Sequence, residues 1–129
     1  MPLPLKVLSR KDEITADFTR LVAQHFDDVL HDRTDTMLHT KEFADRLFIH
    51  PTHLSNTIKL TLGTSPCDFI EARLLAEAQR FLCETALSVA EIGEKLTYSE
   101  PTNFVKFFKR LSGTTPLRYR RAWLAQAAQ

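Results

Sequence analysis

Apolar residues recur along this chain at helical spacing. Ile14, Phe18, Leu21, Val22, His25, Phe26, Val29 and Leu30 lay one mostly apolar stripe along a helix of about four turns. His31 to Leu38 reads as a polar loop. Thr40 is placed to N-cap a short helix with Phe43, Ala44 and Leu47 inward. Pro51 opens another, with Leu54, Ile58 and Leu62 inside and Gly63 just past its end. Ser65, Pro66 and Asp68 form a start signal for a long helix to about Thr85, burying Phe69, Ile70, Leu74, Ala78, Phe81 and Leu82. Ser88 and Glu91 form a capping box before Val89, Ile92 and Leu96. A turn through Tyr98 leads to a helix from Pro101 carrying Phe104, Phe107, Phe108 and Leu111, which Gly113 stops. Thr115 and Pro116 start a last helix containing Tyr119 and Trp123. The pattern predicts seven helices and no strand, an all-α fold.

The pattern also repeats. A displacement of 50 residues superposes Leu54 on Phe104, Ile58 on Phe108, Lys59 on Lys109, Gly63 on Gly113, Thr64 on Thr114 and Pro66 on Pro116, and brings Phe69 onto Tyr119. A displacement of 49 brings Ala44 onto Gly93 and Leu47 onto Leu96, so the copies differ by one residue in the turn. Each copy is a short helix, a tight turn and a longer helix opened by Pro, with a small residue where the two helices would cross. That is the plan of a helix-turn-helix, whose second helix can enter the DNA major groove.

Charge sharpens this picture. The 129 residues carry a net +1, but residues 1–45 hold six Lys and Arg against nine Asp and Glu, and residues 46–100 hold five against seven. From 101 onward stand Lys106, Lys109, Arg110, Arg118, Arg120 and Arg121 with no acid, so this end should attract polyanions. Chemistry of other kinds is poorly supported. Cys67 and Cys83 form no CxxC pair, and the five His show no metal-ligand spacing, so neither metal nor other cofactor is expected. No GxSxG, Gly-rich phosphate loop, acid pair or Cys-His arrangement calls for catalysis, and no enzyme is predicted. No apolar run approaches the roughly 20 residues of a membrane span. Met1 to Leu8 lacks the features of a signal peptide, so a cytoplasmic protein is expected.

Ile92, Gly93, Glu94, Lys95, Leu96, Thr97 and Tyr98, followed by Phe104, Phe107, Phe108, Lys109, Arg110, Gly113, Thr114, Thr115, Pro116, Tyr119 and Arg120, resemble the second helix-turn-helix of the AraC-type (AraC/XylS) bacterial transcription regulators. Ala44, Leu47, Leu54, Lys59, Gly63, Ser65, Pro66, Phe69, Ile70, Arg73 and Ala78 match the first copy and the joining helix, so the resemblance covers roughly residues 40–121. It implies two subdomains joined by a long helix, presenting recognition helices to major-groove segments about one turn of DNA, roughly 34 Å, apart. The expected organisation is a flexible segment 1–12 and a single domain 13–129, with units at about 40–63 and 88–113, a linker helix at 66–85 and a C-terminal helix at 116–127. The resemblance implies that modules of this kind are often the C-terminal part of longer effector-responsive regulators. Double-stranded DNA, RNA polymerase and an N-terminal effector or dimerisation domain are the partners the resemblance implies, in the cytoplasm and on the nucleoid. Three positions depart from the family. Thr97 stands where Gly is usual, which predicts strain or an altered turn, His50 replaces a Ser cap, and Ile58 replaces Phe.

A helical wheel anchored at Leu54 turns Thr52, Asn56 and Lys59 outward with Ser55 at the edge. One anchored at Phe104 turns out Thr102, Lys106, Lys109 and Arg110, with Asn103 flanking. By the resemblance, the base-reading positions are Thr52, Ser55, Asn56, Pro101, Thr102, Asn103 and Lys106. Lys59, Lys109, Arg110, Arg118, Arg120 and Arg121 suit phosphate contacts, which position a protein without reading sequence. For Arg120, as for Arg73, capping carbonyls or packing along the core is the structural alternative. The rival to DNA binding is a helical protein-interaction module using the apolar stripe of the first helix as its docking face.

Overall fold

The computed structural model describes residues 9–128, so of the flexible segment expected over residues 1–12, residues 1–8 lie outside it. Seven helices form among the described residues: α1 (Arg10–Leu30), α2 (Thr40–Arg46), α3 (Pro51–Leu62), α4 (Pro66–Glu84), α5 (Val89–Lys95), α6 (Pro101–Ser112) and α7 (Pro116–Ala127). No residue among them is in a strand. The expected single domain divides into two compact units. The first is the described chain up to Asp27 with Leu38–Ile70, and the second is Asp28–Met37 with the described chain from Glu71 on.

Local chemistry fixes most boundaries. The Ser88 hydroxyl accepts from the Glu91 N–H at 3.0 Å while the Glu91 carboxylate accepts from the Ser88 N–H at 2.9 Å, closing the capping box. The Ser88 backbone N–H first, and the Ser88 hydroxyl after it, hold the Glu91 carboxyl below its ordinary pKa. Ser65 caps α4 through the Asp68 N–H, and Thr115 caps α7 through the Arg118 N–H. Gly63 and Gly113 end α3 and α6 at φ 73° and 81°, a left-handed conformation open to glycine at little cost. Two starts differ from expectation. The N-cap of α2 is His39, whose N–H donates to the Glu42 carboxylate at 3.1 Å, and Thr40 is the first helical residue. Helix α1 begins at Arg10, inside the segment expected to be flexible, because Ser9 caps it through the Asp12 N–H.

In the first unit Ile14, Phe18, Val22 and Phe26 of the α1 stripe are buried and lie with Phe43, Ala44, Leu54 and Ile58 in its core, while Leu21 is half-buried. Phe18 meets Phe43 edge-on at 5.7 Å between ring centres and Phe69 at 5.5 Å. The buried His25 ring accepts the Leu38 N–H at Nε2, 3.0 Å away, which pins the end of the loop to α1. Thr15 and Thr61 share a hydroxyl hydrogen bond of 2.7 Å between α1 and α3.

In the second unit Leu74, Ala78, Phe81, Leu82, Ile92, Leu96, Phe104, Phe107 and Phe108 are buried. Tyr98 packs against Phe104 and Phe107, and Phe108 meets Tyr119 edge-on at 5.6 Å. Leu62 and Leu111, expected inside, are 41% and 38% exposed, and Leu47 and Phe69 are half-buried. Leu62 closes α3 immediately before its glycine, and Leu111 is the next-to-last residue of α6, where the core no longer covers the whole stripe.

Candidate nucleic-acid interface

Within each unit a short helix leads through a turn into a longer one: α2 into α3 in the first, α5 into α6 in the second. Each longer helix has 12 residues and carries Pro at its first position. The His50 ring, standing where the family has Ser, accepts the Thr52 N–H at Nδ1 over 3.1 Å, so an imidazole does the work of the hydroxyl. The N-cap of α6, Glu100, makes no such side-chain bond.

The turns are strained in the same place. Thr97 sits at φ +76°, the left-handed conformation that its departure from Gly predicts. Phe48, which the displacement of 49 places on Thr97, has φ +59° and is 94% exposed. Sequence reading passed over Phe48, although the repeat carried the signal.

Thr52, Asn56 and Lys59 are exposed on α3, and Ser55 is half-buried. Pro101, Thr102, Asn103, Lys106, Lys109 and Arg110 are exposed on α6. Among the described residues, no hydrogen bond or ion pair engages the side chains of Thr52, Asn56, Lys59, Thr102, Asn103, Lys106 or Lys109, nor those of the exposed Arg118 and Arg121 of α7. These groups are available to an incoming partner.

Two cations assigned to phosphate are occupied within the second unit. Arg110 forms a 2.7 Å ion pair with Glu71 of α4, and its guanidinium lies 5.9 Å from the Phe107 ring centre. Half-buried Arg120 donates to the carbonyls of Leu82 at 3.0 Å, Thr85 at 3.2 Å and Phe81 at 3.5 Å, satisfying the open C-terminal end of α4. The carbonyl-capping alternative for Arg120 is the arrangement observed in the unbound chain. Arg73 is structural too, bonding Glu77 at 3.0 Å, while Arg80 holds the other oxygen of that buried carboxylate.

An open groove of about 700 Å³ in the second unit is lined by Asp32, Asp35, Glu91 and Glu94 against Arg33 and Lys95. Its excess of acid would repel phosphate, so an anionic partner is drawn to the cationic faces of α6 and α7 instead. Burial pushes the Tyr98 hydroxyl up to about 12, with the nearby Glu71 carboxylate adding to the shift. No group of three His, Cys, Asp or Glu among the described residues could hold a metal, and no described helix is long and apolar enough to cross a membrane.

A family model described as a helix-turn-helix domain matches residues 43–122. An uncharacterised HTH-type transcriptional regulator of Bacillus subtilis, YtdP, is 35% identical over 92 residues, which is 71% of this chain and 12% of that protein. The chain thus spans well under half the length of such curated relatives. The C-terminal domain of AraT, a response regulator from Geobacillus stearothermophilus, superposes with a TM-score of 0.75 at 28% identity, covering 88% of each chain. The DNA-binding domain of the global transcriptional factor AdpA, solved with a target DNA, has a TM-score of 0.73 at 20% identity over 88% of this chain and 97% of its own.

Proposed function

The chain belongs to the AraC-type family of helix-turn-helix transcription regulators, and on that footing we propose that it binds specific double-stranded DNA by laying α3 and α6 into the major groove. The observation that carries this reading is the repeated free face. Thr52, Asn56 and Lys59 on α3, and Thr102, Asn103, Lys106 and Lys109 on α6, are exposed and spoken for by no other residue. Asn and Thr can donate and accept at base edges, and Lys can donate to guanine acceptors. Pro101 and the half-buried Ser55 stand at the rim of the two faces, where Pro101 can offer only apolar contact. Lys59, Lys109, Arg118 and Arg121 hold phosphates, and Arg110 can do so only by sharing its charge with Glu71. The target DNA carried by AdpA, a protein of the same fold, supports duplex DNA as the ligand.

The chain acts as the reading part of a longer cytoplasmic, nucleoid-associated regulator, whose effector or dimerisation domain senses a signal and whose bound form meets RNA polymerase. The protein-interaction alternative loses most of its docking face, because Ile14, Phe18, Val22 and Phe26 of the α1 stripe are buried in the first unit's core. Selection of bound duplexes from a random pool, followed by an electrophoretic shift, tests the proposal. Recovery of two short half-motifs about 10 bp apart is expected for two recognition helices on one face of the duplex. A chain that shifts no duplex at low salt, or recovers no motif, would overturn it.

A further inference from the structure

We propose that His53 reads a base edge from α3, in the role that the resemblance gives to Ser55; this rests on the DNA-binding reading above. Helices α3 and α6 have the same length, both open with Pro and both end at a left-handed Gly, so the 50-residue displacement aligns them without a gap. In that register Thr52 falls on Thr102, Asn56 on Lys106 and Lys59 on Lys109. The same register sets His53 on Asn103 and Ser55 on Val105.

At about 100° per residue, positions 53 and 55 flank the outward line of Thr52, Asn56 and Lys59 on opposite sides. His53 and Asn103 are both exposed, whereas Ser55 and Val105 are both half-buried. The two units therefore turn the same flank toward solvent, and that flank is polar in each. No hydrogen bond or ion pair among the described residues engages the His53 imidazole. A neutral imidazole has one donor and one acceptor, and at i,i+3 spacing its neighbour on the helix surface is the reader Asn56. Ser55 can extend only one short hydroxyl, from a partly covered position.

The test compares the unaltered chain with His53→Ala, Ser55→Ala and His53→Asn on the duplex recovered by selection and on a random duplex. His53→Ala should weaken the selected duplex about tenfold, the size of one base contact, and the random duplex less than twofold. Ser55→Ala should change both less than twofold. His53→Asn, which installs the second unit's residue, should keep tight binding and move one position of the first half-motif toward adenine. Unchanged affinity of His53→Ala for the selected duplex, equal loss on both duplexes, or a larger loss in Ser55→Ala would overturn the assignment. Melting curves of the variants identify any loss that comes from damage to the fold. Failure of the unaltered chain to prefer any duplex would be seen before a variant is made, and would sink the DNA-binding reading itself.

Discussion

Gly93 of α5 approaches Phe104 of α6 so closely that a methyl carbon built on it would meet the Phe104 Cβ at 3.1 Å and two ring carbons at 3.2 Å. The first unit solves the same crossing with the opposite allotment of volume, since the aligned residues there are the buried Ala44 and Leu54. A small residue and its facing side chain have thus been matched twice, in different proportions.

Gly93→Ala should therefore destabilise the chain in spite of better helix propensity. Propensity favours Ala by about 1 kcal/mol, while crowding a filled core costs roughly 1–3 kcal/mol, and the rigid Cβ of Phe104 has little room to retreat. A net loss of about 1 kcal/mol would lower Tm by roughly 3–5 °C. Adding Phe104→Leu recreates the pairing of the first unit, and a double-mutant cycle should return a favourable coupling of about 1 kcal/mol. Simple additivity would show that the contact does not set the limit.

Thr97→Gly and Phe48→Gly should each raise stability. A side chain held at positive φ costs roughly 1–2 kcal/mol, more than the entropy a glycine adds to the unfolded chain. The gain, about 0.5–1 kcal/mol each, is read as a shift of the denaturation midpoint at constant slope. No shift, or a lower midpoint, would mean that the side chains hold the turns in place.

Three cationic positions should separate cleanly in a DNA titration against salt. Lys106→Ala should weaken the selected duplex more than a random one. Arg121→Ala should weaken both and flatten the log–log salt slope by about 1. Arg120→Met should instead cost about 1–3 kcal/mol of folding stability, because three carbonyls at the end of α4 lose a charged donor, and should leave the salt slope unchanged. A flattened slope in the Arg120 variant would return that residue to the phosphate contacts.

The two tyrosines supply a test at high pH. Burial raises both hydroxyls above their ordinary range, Tyr98 to about 12 and Tyr119 also upward, the latter with Cys83 contributing. A folded-state pKa above the unfolded value means that the associated stability is complete below pH 10 and is lost as pH climbs from about 10 to 12. Phenolate absorbance should therefore stay low at pH 10, where a free tyrosine would be half ionised, and should rise together with unfolding. Tyr98→Phe should flatten the fall of stability in that window.

The sequence was most legible where structure is decided within a few residues. Ser65, Ser88 and Thr115 cap what their spacing to the following turn says they cap, and Gly63 and Gly113 stop helices whose last apolar residues precede them. The repeat was legible because both copies use the same core positions. What escaped depends on distant partners. The partners of Arg110 and Arg120 lie 35–39 residues away along the chain, so neither can be told from a free cation by local pattern. His53 stands out only when α3 is aligned to α6, because the family pattern points to Ser55 instead.

The ring of Phe18 has a consequence for anyone trimming the protein to its recognisable part. The matched region begins at Phe43, yet the Phe18 ring that lies against Phe43 and Phe69 comes from a helix wholly upstream of it. A chain cut at Thr40 would keep every reading residue and leave those two aromatic faces bare to water, an invitation to clump. The smallest piece able to fold unaided is thus set by hydrophobic cover and starts well ahead of the motif that gives the protein away.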